Sequence, residues 1–292
     1  MRTDRDSGAV AMGKGRDRGY AMIAAIIGVA AFGFIAFEFM AQDRGVLAEV
    51  RGEAEQAKLT AAADAGIAMA ISGLADPDLN QRWGIDGRAR NAQFGDVLLT
   101  ITVEDERGKI PLNGIIEEEA HELFKLAGAQ GQQLETLTDS FEDWQDADNA
   151  PRPNGSEAPY YAPFGIKPRN AGFRTIGELR HLHGMTDDVY ARVAPATTVF
   201  FGESGGFSES TSQVLALEVL GEESPNSLAV QQRMRQLAGD VPLPATAAKM
   251  SYIARTLTVR VEARKGATYL KRNAILELTG NKDDPYWFRY LD

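Results

Sequence analysis

Apolar residues in the first quarter of the chain follow one long helical pattern. Tyr20 to Phe37 runs for eighteen positions without a charge, which is long enough to cross a bilayer as a helix. Past Glu38, smaller apolar residues recur at steps of three and four, the spacing of a helix with a narrow apolar stripe. The stripe consists of Val46, Leu47, Val50, Ala54, Ala57, Ala61, Ala65 and Ala68. We therefore predict a helix from Tyr20 to about Ala75, whose first half lies in lipid and whose stripe packs on a globular head.

Farther along, the apolar period changes from helical to alternating and back. Residues 97–103 alternate as a strand, residues 115–141 return to helical spacing, and a loop rich in Pro, Gly, Asn and Asp covers residues 144–170. Short helices are predicted at 176–182, 189–193, 215–220 and 229–237. Alternation resumes at residues 252–263 and 269–279, with an edge strand at 286–290. This order predicts an α+β fold in which a large helical domain is inserted between strands of one small antiparallel sheet.

The charge pattern predicts the topology and disfavours one class of function. The net charge is -10, and an acidic surface argues against nucleic-acid binding. Basic residues outnumber acidic ones in residues 1–19, directly before the apolar run, and such a flank stays in the cytoplasm. The body after Glu38 is then periplasmic in a bacterium. The chain has no cysteine, which excludes disulfides and thiolate metal sites.

Carboxylates crowd one stretch of the loop at 144–170 and its entrance. Asp143, Asp146, Asp148 and Glu157 stand there with Asn149, Asn154 and Gly155. Calcium takes six to eight oxygen ligands from flexible loops of this kind. The spacing is not that of an EF-hand, because Ala150 and Pro151 occupy the positions that need an oxygen and a glycine. From the residues alone, a cation site and a solvated acidic loop both remain open.

Three separated segments resemble one known family. The first is the leader junction, residues 18–24; the second is residues 141–148 with 155–157 and Tyr160-Tyr161; the third is residues 170–179, leading to 184–186 and Tyr190. Their order and spacing are similar to those of type II secretion system protein K, the large minor pseudopilin. After Phe201 the resemblance is weaker.

The resemblance implies a processed, membrane-anchored subunit with a calcium-binding head. Cleavage by a prepilin peptidase would fall between Gly19 and Tyr20, followed by methylation of the Tyr20 amine. Most pilins carry a glutamate as the fifth mature residue, whereas this chain has Ala24, as protein K does. A subunit without a buried charge there has no obligatory partner for it, which suits the tip of a filament. Protein K also has calcium sites in its helical domain, and the family's segment for them matches Asp143, Asp146, Asp148 and Glu157.

The expected organisation is a cytoplasmic leader at 1–19, a transmembrane half-helix at 20–40, the first part of the pseudopilin domain at 41–112, the inserted domain at 113–240 and the last strands at 241–292. The expected function is that of a non-enzymatic minor pseudopilin in the bacterial inner membrane, which assembles with other minor pseudopilins at the tip of a periplasmic pseudopilus.

Two other functions remain as alternatives. One is a membrane-anchored periplasmic binding or enzymatic domain that keeps its leader. The other is a cytoplasmic nucleic-acid protein, since residues 179–193 resemble a helix-hairpin-helix.

Overall fold

The computed structural model describes residues 32, 34, 49, 50, 52–201, 206–221, 223–240, 251–281 and 283–292. The chain divides into two compact units, residues 1–58 and 59–292. Among the described residues, no helix combines the length and apolarity that a bilayer crossing requires. Of the predicted span at 20–40, only residues 32 and 34 are described.

Helices and strands occur in the order that the sequence predicts, with short elements added. The helices are α1 (residues 52–74), α2 (Glu117–Leu126), α3 (Gly131–Gln145), α4 (Ala158–Tyr161), α5 (Asp187–Val193), α6 (Val214–Leu220) and α7 (Leu228–Ala238). The strands are β1 (Arg90–Phe94), β2 (Val97–Asp105), β3 (Ile110–Pro111), β4 (Thr197–Thr198), β5 (Thr256–Lys265), β6 (Thr268–Leu278) and β7 (Tyr286–Leu291).

Five strands form one antiparallel sheet in the order β1-β2-β5-β6-β7. The central pairing joins strands far apart in sequence: Ile101 lies opposite Val261, and Val103 opposite Val259. The predicted α+β class, with a helical domain between strands of a small sheet, is confirmed. β3 and β4 pair in parallel as a separate two-stranded element.

Residues 59–74 of α1 cover one face of this sheet. The buried side chains of this helix are Leu59, Ala62, Ala63, Ile67, Ala70 and Leu74. The predicted stripe through Ala61, Ala65 and Ala68 is wrong, because Ala61 and Ala68 are exposed and Ala65 is only half-buried. The three large residues Leu59, Ile67 and Leu74 bury far more apolar area than alanines, and they decide which face turns inward.

The helical part of the chain has a second apolar core, built from residues between Ile110 and Val219. The predicted helical stretch 115–141 is two helices, α2 and α3, separated at Gly128, whose φ is 103°. The first predicted hairpin helix is a 3-10 helix, Ile176–His181. α6 and α7 confirm the predicted short helices.

Two strand predictions need correction. β1 was not predicted, because its sequence RNAQF has no apolar alternation and is largely exposed. The alternating stretch was predicted to begin at residue 252, but Ile253 is 57% exposed and β5 begins only at Thr256. Ala254 has a φ of 60°, which breaks the extended backbone between them.

Candidate metal centre

The last two segments of the sequence resemblance meet in the second core. Phe173 stacks on Phe141 of α3 with ring centroids 5.3 Å apart, and on Trp144 at 6.3 Å. Trp144 donates its indole N–H to Glu178, Nε1 to Oε2 3.3 Å. The other carboxylate oxygen of Glu178 accepts from the backbone N–H of Thr175 at 2.9 Å, so one side chain caps its own 3-10 helix and anchors α3.

An acidic cluster lies at the end of α3, next to the stacked rings of Phe141, Trp144 and Phe173. One carboxylate oxygen each from Asp143, Asp146 and Glu157 lies within 4.8 Å of the other two. Asp143 is on the last turn of α3, Asp146 ends that helix, and Glu157 precedes α4. A loop of ten residues therefore leaves the cluster and returns to it, which brings three of the four predicted ligands together.

Several oxygens of this cluster are buried without a hydrogen-bond donor. They are Oδ1 of Asp146 and both carboxylate oxygens of Glu157, whose residue is only 2% exposed. Burying a carboxylate oxygen that no donor reaches is costly. Their arrangement therefore suits a hard cation, which binds carboxylate oxygens.

Burial raises the pKa of the Glu157 carboxyl, and the negative charges of Asp143 and Asp146 raise it further. Like charges held close together disfavour ionisation of one another. A bound cation would reverse this effect, because it favours the ionised form of all three carboxyls. The cluster is thus electrostatically strained on its own and would be stabilised by a positive charge at its centre.

Part of the positive charge comes from Arg152, which the sequence reasoning missed. Its Nη1 lies 3.1 Å from Oδ1 of Asp143 and 2.9 Å from Oδ2 of Asp146. Its backbone N–H also donates to Asp143. Arg152 is the sole basic residue between Asp139 and Glu157. A single positive charge among so many carboxylates is the sequence feature that could have identified it as their partner.

Two further residues of the loop shape the cluster. A Cβ added at Gly155 would lie 2.0 Å from Oδ2 of Asp143, so this position admits only glycine unless the carboxylate moves. Asn154 donates to Oδ2 of Asp139 through both its backbone N–H, at 2.9 Å, and its side-chain amide, at 3.0 Å. Two hydrogen bonds from Asn154 therefore fasten the loop to α3, and the missing side chain of Gly155 leaves room for the Asp143 carboxylate.

Asp148 lies outside the cluster in this structure. It is exposed, and its Oδ1 accepts from the backbone N–H of Ala150 at 2.8 Å within the same loop. The prediction of a four-carboxylate set is therefore not matched by the geometry, which assembles three. A short acidic side chain engaged in a local turn cannot be distinguished from a ligand by sequence spacing alone.

His183 links two segments of the second core. Ser156 and Nδ1 of His183 are 2.6 Å apart, and the backbone N–H of His183 donates to the Tyr161 hydroxyl at 3.3 Å. Tyr160 stacks on the His183 ring at 4.1 Å. These contacts join the loop that carries Glu157 to the helix-hairpin-helix.

The predicted processing residues Gly19 and Tyr20, and the predicted tip residue Ala24, lie outside the described residues. The functions assigned to them from the sequence remain predictions.

Residues 112–202 match the family described as type II secretion system (T2SS), protein K. A curated protein of that name from Pectobacterium carotovorum subsp. carotovorum is 39% identical over 75 residues. That match spans 25% of this chain and 23% of the other protein's length.

A solved structure has the same fold. The crystal structure of the GspK-GspI-GspJ complex from the type 2 secretion system of enterotoxigenic Escherichia coli matches with a TM-score of 0.57 and 15% identity. The match covers 84% of this chain and 98% of that chain.

The matched segment contains the acidic cluster and the second and third segments of the sequence resemblance, whereas the leader junction at residues 18–24 lies outside it. The resemblance to type II secretion system protein K is thereby confirmed, and residues 112–202 of this chain carry the signature of that family.

Proposed function

We propose that this chain is a minor pseudopilin of a type II protein secretion system, which forms or initiates the tip of the periplasmic pseudopilus. The observation that carries the proposal is the coincidence of two independent matches. Residues 112–202 match the protein K family in sequence, and a solved complex of this secretion system has the same fold over 84% of this chain.

The proposed partners are supported by that solved structure, which is a complex of GspK with GspI and GspJ. We infer that the corresponding minor pseudopilins bind this chain.

The role is structural and involves no catalysis. The protein lies in the bacterial inner membrane with a single span at residues 20–40 and a periplasmic head. Prepilin peptidase cleaves after Gly19, Tyr20 is methylated, and Ala24 leaves the N-terminal helix without a buried charge.

The acidic cluster is proposed as a structural calcium site with Asp143, Asp146 and Glu157 as ligands. Three carboxylates lie within reach of one ion, and the donor-free oxygens of Glu157 and Asp146 offer further coordination. Calcium prefers carboxylate and carbonyl oxygens. The ion would hold the return of the loop against α3, where the charges otherwise repel one another.

The test is co-purification of the periplasmic head, without residues 1–40, with the heads of the two neighbouring minor pseudopilins from the same bacterium. Elution of the three heads as one complex supports the proposal. Elution of this head alone, at concentrations where the other two bind each other, contradicts it.

Mass spectrometry of the full-length protein separates the proposal from an anchored binding or enzymatic domain. The expected mature form begins at methylated Tyr20, and a Gly19→Val variant is expected to keep its leader. An intact N-terminus in the unaltered protein, or a cut near Ala41, favours the alternative.

A further inference from the structure

A group of basic residues follows the start of α4 in an otherwise acidic chain. Residues 158–186 contain four basic residues, Lys167, Arg169, Arg174 and Arg180, and a single acidic residue, Glu178. This stretch therefore has a net charge of +3, whereas the net charge of the whole chain is -10. The sign of the charge is thus reversed locally.

Three of these cations have no partner within the part of the chain that the structure describes. Lys167, Arg169 and Arg174 are exposed, and their side chains make no ion pair, hydrogen bond or ring contact with any described residue. Arg180 differs from them, because its Nη1 lies 3.1 Å from Oδ1 of Asp187. We refer to Lys167, Arg169 and Arg174 as the basic strip.

The one carboxylate of this stretch does not neutralise the strip. Oε1 of Glu178 accepts from the backbone N–H groups of Arg174, at 3.0 Å, and of Thr175, at 2.9 Å. Its Oε2 accepts from the indole of Trp144. Both oxygens are therefore engaged by backbone and indole donors, and the Arg174 guanidinium keeps its charge without a counter-ion.

The backbone of the strip is fixed although its charged side chains are free. Pro168 and Phe173 are buried. Asn113 binds both backbone groups of Phe173, since its Oδ1 accepts from the N–H at 2.6 Å and its Nδ2 donates to the carbonyl at 2.9 Å. The Asn170 amide donates to the backbone carbonyl of Asp148. A partner that binds the strip therefore has to order only side chains, which lowers the entropic cost of binding.

The dimensions of the strip suit a short segment of another chain. Lys167 and Arg174 are seven residues apart, which is at most about 24 Å of extended backbone. A peptide of about eight residues can therefore reach all three cations. Phe164, which is 65% exposed and lies 5.8 Å from the ring of Tyr160, precedes the strip by three residues and adds an apolar contact.

We propose that the basic strip, with Phe164 at one end, is a docking surface for a short acidic segment of another protein. Complementary charge steers such a partner and sets its register. A long polyanion such as a nucleic acid suits the surface poorly, because its charge extends far beyond the strip and meets the acidic remainder of this chain. This interaction requires neither calcium nor the assembly with other minor pseudopilins proposed above.

Fluorescence anisotropy with the purified full-length chain in detergent tests the proposal. The probe is a dye-labelled peptide of about eight residues, with one phenylalanine among glutamates. Saturable binding is expected, and it is expected to weaken as the NaCl concentration is raised from about 50 to about 500 mM. The same peptide with glutamines in place of the glutamates is expected to show no saturable binding.

Two triple variants with the same net charge separate the strip from general electrostatic attraction. Replacement of Lys167, Arg169 and Arg174 by glutamine is expected to weaken binding about tenfold, because three exposed ion pairs are lost. Replacement of three exposed cations on strands of the sheet by glutamine is expected to leave the Kd unchanged. These control positions are Arg264, Lys271 and Arg289.

A charge-reversed variant guards against misfolding of the strip variant. Replacement of all three strip residues by glutamate is expected to abolish binding of the glutamate peptide. The variant is also expected to bind a lysine version of the peptide more tightly than the unaltered chain does. Three results would overturn the proposal: no saturable binding of the glutamate peptide by the unaltered chain, equal weakening in the two glutamine variants, or equally tight binding of a single-stranded oligothymidylate.

Discussion

Replacing Glu157 by glutamine separates the electrostatic strain of the acidic cluster from its capacity to bind a cation. The two side chains have nearly the same shape, so packing is preserved while one negative charge is removed. Burial and the neighbouring aspartates raise the pKa of the Glu157 carboxyl, which means that its charged form is destabilised in the folded chain. Without calcium, Glu157→Gln is therefore expected to be at least as stable as the unaltered protein.

With calcium the order is expected to reverse. An ion present at about 100 times its Kd stabilises the folded state by about 2.7 kcal/mol. For a unit of this size, that corresponds to a rise in Tm of about 5–10 °C. In the proposed site Glu157 is a ligand, and neither of its carboxylate oxygens has another hydrogen-bond partner, so the glutamine variant is expected to lose most of this rise.

The assay is differential scanning calorimetry of the periplasmic head in calcium and in a chelator. Asp148→Asn is the matched control, because it removes one charge from the same loop outside the three-carboxylate cluster. It is expected to keep the calcium response. An undiminished rise in the Glu157→Gln variant would remove Glu157 from the ligand set, and a lost response in Asp148→Asn would show that the three-residue set is wrong.

Three further predictions concern single residues. Burial raises the pKa of Asp105 above its ordinary value of 3.8, so the contribution of this carboxyl to stability declines as the pH rises through the raised pKa. Asp105→Asn is expected to flatten this part of the pH profile of stability, measured by urea unfolding. Gly155→Ala is expected to cost about 1–3 kcal/mol in the same assay, because the new methyl group clashes with Asp143; an unchanged midpoint would contradict the clash. Ile67→Ala is expected to cost about 2–5 kcal/mol, whereas Ala61→Gln on the exposed face is expected to change stability by less than about 0.5 kcal/mol; thermal melts distinguish them, and the opposite order would restore the alanine stripe.

The fold class could be predicted because large apolar residues mark most of its elements. β2 alternates cleanly between buried and partly or fully exposed positions, and that period is readable without coordinates. β1 has no alternation of apolar residues, because it is an exposed edge strand that is held in the sheet by backbone pairing with β2. The buried face of α1 was misread because a run of alanines offers several helical stripes of nearly equal weak hydrophobicity.

The sequence was sufficient to predict the candidate carboxylate ligands, but not the residues that surround them in the fold. The density of carboxylates in a polar loop marked Asp143, Asp146, Asp148 and Glu157 as candidate ligands, and the family resemblance favoured a cation site over a solvated loop. The exclusion of Asp148 depends on a local turn, and the roles of Arg152 and Gly155 depend on distances across the loop. Spacing along the chain gives none of these distances.

The pairing of β2 with β5 has a consequence for the order in which the polypeptide acquires its structure. Arg255 and Asp105, which form an ion pair at this junction, are separated by 150 residues. Contacts between such distant positions form slowly, since a long loop must close first. β5 follows the helical insertion in sequence and is available to β2 only when nearly the whole chain has emerged, so the insertion can fold before the sheet around it is complete.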